Sequence, residues 1–110
     1  MRILLDECLP KGLAARLPGH EVATTPQAGW AGVKNGRLLR HIADSRNFDV
    51  FLTVDKNLPA QGRTGALPFA IVVLRAKSNR LEHILPFGPE ILRKISSFMP
   101  GRVYTLTSPV

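Results

Sequence analysis

Two stretches of this chain lack the polar alternation of a strand with one wet face: Val50-Phe51-Leu52-Thr53-Val54 and Phe69-Ala70-Ile71-Val72-Val73-Leu74. Continuous β-branched runs of this length fit strands covered on both sides, as in a parallel sheet flanked by helices. Ile3-Leu4-Leu5 reads as a third buried strand and His20-Glu21-Val22-Ala23-Thr24 as a shorter fourth. Arg102-Val103-Tyr104-Thr105-Leu106-Thr107 alternates, as a strand nearer an edge should.

Helical spacing fills the gaps. Leu9, Leu13 and Leu17 recur every four residues, with Pro10 suited to a first turn and Pro18-Gly19 closing the segment. Leu38, Leu39, Ile42 and Ala43 make an apolar stripe on a helix from about Asn35 to Ser45, and Ile91, Leu92, Ile95 and Phe98 do so between Pro89 and Pro100-Gly101. A short helix is expected from Ser78 through Leu85, with Ser78 as its cap. Strands alternating with helices predict an α/β domain whose mostly parallel sheet carries helices on both faces. The glycine-rich loops Thr25 to Gly36 and Pro59 to Pro68 are long for so small a domain, and long loops often carry function.

The 110 residues suffice for a single domain, 1–110, with a modest core. A hydrophobic fraction of 45% excludes a disordered tail. No run approaches the roughly 18 apolar residues of a membrane span, and Arg2-Ile3-Leu4-Leu5 is too short for a signal-peptide core. A cytoplasmic location without membrane attachment is the expectation. The single cysteine, Cys8, excludes an internal disulfide and a multi-cysteine zinc site. A net charge of +7 favours a polyanionic partner, of which RNA and DNA are the commonest.

The few acids are therefore informative. Ligands of parallel α/β sheets gather outside the carboxyl ends of the strands, and two of the buried strands run into an acid there: Asp6 after Leu5, and Asp55 after Val54. Carboxylates held together repel unless a proton or cation sits between them. A hard dication, Mg²⁺ or Mn²⁺, needs only one or two carboxylates, with waters and substrate phosphates completing its shell. The competing reading makes Asp6 a cap of the following helix and Asp55 the start of a turn with Lys56-Asn57. Glu7 joins such a site only if the chain turns after Asp6, because adjacent strand residues point to opposite faces.

The segments "LLDECLP", "GHEV", "GWAGVKNGRLL", "FDVFLTVDKNLP" and "IVVLRAKSNRLE" closely resemble a group of compact bacterial PIN-like domains, in order, from Met1 to about Tyr104. The most specific pieces are Asp6-Glu7-x-Leu9-Pro10 and Thr53-x-Asp55-Lys56-Asn57-Leu58. The resemblance implies a Rossmann-like PIN fold of four to five mostly parallel strands. It also implies a Mg²⁺- or Mn²⁺-dependent ribonuclease, often the toxin of a toxin–antitoxin pair, with an antitoxin protein as partner. Asp6 and Asp55 match two of that family's site acids. Where relatives often carry acids at the start of the middle helix, this chain has Asn35 and Arg37; where a fourth acid often lies it has Asn57, and Cys8 stands where relatives commonly have Asn.

Asp6, Asp55 and Glu7 are accordingly the candidate catalytic acids, and Asp6, Asp55, Asn57 and Asn35 the candidate metal ligands. Lys56, Arg37, Arg63, Arg75, Lys77 and Arg80 are the candidate RNA contacts; Arg37 alternatively replaces the metal as a counter-cation. Cys8 reads as a semi-buried filler and Trp30 as a plug beneath its loop. His20, His41 and His83 have no ligand spacing. The rival reading is a catalytically degenerate module that binds RNA or a protein partner. A third reading is homodimerisation through an apolar Ile84 to Phe98 surface.

Overall fold

The computed structural model describes residues 1–58 and 64–107. Strands β1 (Arg2–Leu5), β2 (Glu21–Thr24), β3 (Val50–Thr53), β4 (Ala70–Arg75) and β5 (Val103–Thr107) form one sheet in the order β2-β1-β3-β4-β5, every pair parallel. Among the described residues three α-helices, α1 (Asn35–Ser45), α2 (Leu81–Ile84) and α3 (Phe87–Lys94), lie between them. The α/β class is as the sequence predicts, and the architecture is consistent with a Rossmann-like fold. In this strand order the chain reverses direction across the sheet between β1 and β3, where doubly wound sheets open a crevice.

Alternation along the strands separates two cores. Ile3, Leu5, Val50, Leu52, Val72 and Leu74 meet Leu9, Leu13, Leu17, Ile84, Phe87 and Ile91 on the first face. Leu4, Phe51, Ile71 and Val73 meet Leu38, Leu39, Ile42, Leu58 and Phe69 on the second. Every residue of β3 is buried, which is why its sequence lacks alternation. Helix α1 has no side-chain cap at Lys34. Such a cap contributes about 1 kcal/mol, whereas burying each of Leu38, Leu39 and Ile42 contributes roughly 1.5–3 kcal/mol. Packing therefore holds α1 in place.

Three expectations need correction. The Leu9 to Leu17 segment is a 3₁₀ helix over Lys11–Arg16, closed by Leu13 N–H to Pro10 O at 3.1 Å and Leu17 N–H to Ala14 O at 3.2 Å. The tighter helix rises about 2.0 Å per residue rather than 1.5 Å, so a short connector can run back along β1 while still burying its three leucines. Ser78 caps no helix: its hydroxyl pairs with His83 Nδ1 at 2.7 Å and accepts the Arg80 N–H, and α2 begins only at Leu81. The apolar stripe from Ile84 to Phe98 is not a free surface, because Ile84, Phe87, Ile91, Ile95 and Phe98 are all buried on the first face. Those five side chains face the core, while Leu85 and Leu92 between them are only partly buried.

The connections differ in hand. The β1–β2 link crosses the first face towards the β2 edge, while α1 crosses the second face in the other direction between β2 and β3. These share one hand, as does the described part of the β3–β4 link, where Leu58, Leu67 and Phe69 pack on the second face. Between β4 and β5 the chain moves in the same direction as α1, yet α2 and α3 lie on the first face. That crossover has the opposite hand, a rare arrangement in parallel sheets. At its end Gly101 adopts φ +79°, and a Cβ there would sit 2.6 Å from the Gly65 carbonyl oxygen, so only glycine fits.

Candidate functional site

Asp6 follows β1 and Asp55 follows β3 by two residues, and these strands are neighbours in register, Leu5 opposite Leu52. Both acids line one cleft of about 360 Å³, together with Glu7, Cys8, Gly32, Val33, Lys34, Leu38 and Leu58. The cleft lies at the carboxyl edge, at the point of strand reversal, beneath the amino end of α1.

Thr53 joins the two acids. Its hydroxyl donates to Asp6 Oδ2 at 2.7 Å and accepts the Asp55 backbone N–H at 3.0 Å. Thr53 itself is fully buried. The Asp6 backbone N–H bonds Leu52 O at 2.9 Å, which continues the β1–β3 ladder to the acid and fixes its Cα. Asp55 Oδ1 accepts the Asn57 N–H at 2.9 Å, so the turn read from Asp55-Lys56-Asn57 is present within the site. Each aspartate thus has one oxygen in a structural bond, and no hydrogen bond among the described residues takes the other.

Glu7 reaches the cleft because the chain turns at once: Leu9 N–H bonds Asp6 O at 2.9 Å. Its Oε1 accepts the Gly32 N–H at 3.1 Å, tying β1 to the loop before α1. Cys8 is half-buried, with its sulfur 4.0 Å from Thr53 Oγ1. Burial pushes its thiol pKa up, with the Asp6 charge adding in the same direction, which disfavours the thiolate.

Lys34, the residue before α1, is the one cation among the described residues that line this cleft. Arg37, one turn on, is exposed and is not among the lining residues, so it does not act as the counter-cation in this arrangement. Asp55 also borders a second cleft, of about 590 Å³, lined by Lys56, Asn57, Arg75 and Lys77 at the ends of β3 and β4. Asn57 belongs there and not in the acidic cleft. Arg80 departs from expectation: it borders a separate depression with Leu81, Glu82 and Leu85, and its Nε lies 3.5 Å from Glu82 Oε1. Among the described residues no ion pair engages Lys34, Lys56, Arg75 or Lys77. Arg63 lies outside the described residues, and of Asn35 only the backbone, the first residue of α1, is described.

The remaining candidates have local roles. Trp30 packs against the second core, stacked on His41 at 5.9 Å between ring centroids and edge-on to Phe48 at 6.1 Å. His20 pairs with the amino terminus at 3.0 Å and His83 with Ser78. Among the described residues no group of three or more His, Cys, Asp or Glu side chains is close enough to hold a metal by itself. Among the described residues no helix is long and apolar enough to cross a membrane. Comparison with family models, curated proteins and solved structures finds no match for this chain.

Sequence reasoning missed Thr53 and Lys34. The signal for Thr53 was present: it is the one polar residue in the run from Val50 to Val54, and a buried hydroxyl requires a partner. Nothing in the sequence marked Lys34, whose place depends on where the loop meets α1.

Proposed function

We propose that this protein is a Mg²⁺- or Mn²⁺-dependent ribonuclease of PIN-like type, the toxin of a toxin–antitoxin pair, cutting RNA at the cleft between β1 and β3. The observation that carries this reading is the convergence of Asp6 and Asp55 on one cleft at the strand-reversal point of a net-basic protein. The donors fit a hard dication in its minimal form: two carboxylates, each with an oxygen outside the structural bonds. Asp6 and Asp55 would hold the ion, which when bound supplies water activation and charge neutralisation at the phosphate. Thr53 orients Asp6, and Glu7 steadies the loop that forms the cleft's far wall. Lys56, Arg75 and Lys77 border the adjoining cleft and would grip the RNA backbone through its phosphates.

One observation favours the rival reading of a catalytically silent RNA-binding module. Each of the three acids already accepts an internal hydrogen bond, and Lys34 lines the cleft as a resident cation.

Cleavage of a labelled single-stranded RNA, with Mn²⁺ and with EDTA, separates the two. The nuclease reading expects cleavage that EDTA abolishes and that Asp6→Asn and Asp55→Asn each lower by at least about a hundredfold, as loss of transition-state charge stabilisation does. Retained, EDTA-insensitive RNA affinity without cleavage, in a folded protein, would establish the silent module instead.

A further inference from the structure

Because α2 and α3 cross on the first face, no helix among the described residues covers the second face of β5. Val103 is 39% exposed, and Thr105 and Thr107 on the same face are also exposed. Their neighbour Val73 is buried, so a groove of about 400 Å³ runs between Lys56, Val73, Arg75, Val103 and Thr105.

The same strand is an edge. Ile71 N–H bonds Arg102 O at 3.0 Å, so Arg102, Tyr104 and Leu106 turn their main chain towards β4. By alternation, Val103 and Thr105 turn their N–H and C=O groups outward. No hydrogen bond among the described residues engages those groups. The opposite edge is blunted: β2 opens on the charged Glu21, and Gln27 Oε1 occupies the Thr24 N–H at 2.9 Å. Along β5, none of Val103, Thr105 and Thr107 is charged or proline.

We infer that β5 is a docking edge for an extended acidic segment of another protein, which adds a sixth strand and lays its side chains over Val103 and Thr105. Three considerations select this occupant. An open edge offers alternating donors and acceptors at strand spacing, which another polypeptide backbone matches, whereas its carbonyl oxygens repel phosphates. Lys56 and Arg75 border the groove, and among the described residues no carboxylate lines it, so the complementary segment is acidic. A second copy does not match that charge: its own edge, Val103 to Thr107, carries no carboxylate, and the chain is net basic at +7. This inference does not use the acidic cleft and stands whether or not that cleft cuts RNA.

The test is amide NMR of the full chain titrated with a blocked six-residue peptide of alternating glutamate and valine, and with its lysine–valine counterpart. The Val103 and Thr105 amides should shift and exchange at least about tenfold more slowly with the acidic peptide, which should bind at least about tenfold tighter than the basic one. Thr105→Pro, which removes an outward N–H that β4 does not use, should abolish binding; Val103→Glu, at an exposed position, should do so by charge. Absence of binding at about 1 mM peptide, equal binding of both peptides, or binding unaffected by both variants would overturn the proposal. So would protection of these amides by oligouridylate, or by raising the protein concentration alone.

Discussion

Thr53 Oγ1 and Asp6 Oδ2 lie 2.7 Å apart across the β1–β3 pair, and the same hydroxyl accepts the Asp55 N–H. One buried hydroxyl therefore sets the orientation of one candidate metal ligand and the entry into the turn of the other. Thr53→Val keeps the shape and removes both bonds. The expected loss is about 1.5–3 kcal/mol, the range for hydrogen bonds to charged groups, read as a fall of several degrees in Tm. Mn²⁺ affinity should fall with it, while Thr53→Ser should restore affinity even where it does not restore full stability. A Thr53→Val protein with unchanged Mn²⁺ affinity would remove Thr53 from the site.

Much of the architecture was legible in the sequence, for a simple reason. Strands buried on both faces cannot alternate, and Val50 to Val54 and Phe69 to Leu74 do not; the structure places strands at Val50–Thr53 and Ala70–Arg75. The α1 boundaries were equally readable, since its stripe of Leu38, Leu39 and Ile42 faces one core. What escaped was set by tertiary geometry. Four-residue leucine spacing fits α and 3₁₀ connectors alike when the segment is short, as at Lys11–Arg16. The site acids were readable as strand ends, whereas Lys34 entered the cleft only through the path of a loop.

The separation of Arg80 from the other cations gives a clean comparison in RNA binding. Lys56→Gln, Arg75→Gln and Lys77→Gln should each flatten the dependence of log affinity on log salt by about 0.7 for a single strand, one phosphate contact apiece. Arg80→Gln, whose guanidinium faces Glu82, should leave the slope unchanged. Fluorescence anisotropy across a salt series reads this out. Equal effects at all four positions would mean a diffuse basic surface without a defined RNA path.

Cys8 makes a prediction in pH. Burial and the Asp6 charge favour its neutral thiol, so its pKa in the fold lies above the ordinary value of 9.0. A group raised on folding contributes stability that is complete below its unfolded value and is lost as pH rises through its folded value. Stability should therefore decline above about pH 9 in the native protein and less steeply in Cys8→Ala. At pH 8, alkylation by iodoacetamide should be slower than for a free thiol, and Asp6→Asn should speed it.

The buried stripe between Ile84 and Phe98 predicts a loss of stability without a change of assembly state. Phe87→Ala should cost about 3–5 kcal/mol by opening the first-face core. Sedimentation of the variant, under conditions where it stays folded, should match the wild type. A shift from dimer to monomer at unchanged stability would mean that Phe87 is exposed in the free chain, against the packing described above.

Because all five strands are parallel, the sheet has a polarity that matters for any labelled or fused form of the protein. Anything joined ahead of Met1 starts from the amino edge, where the terminal amine meets His20, with the length of β1 between it and the acids. Thr107 ends β5 at the carboxyl edge, on the strand next to the one that delivers Arg75 to the basic cleft. An affinity handle at the front is therefore separated by the length of β1 from the acidic cleft, whereas the described chain ends at the edge that carries it.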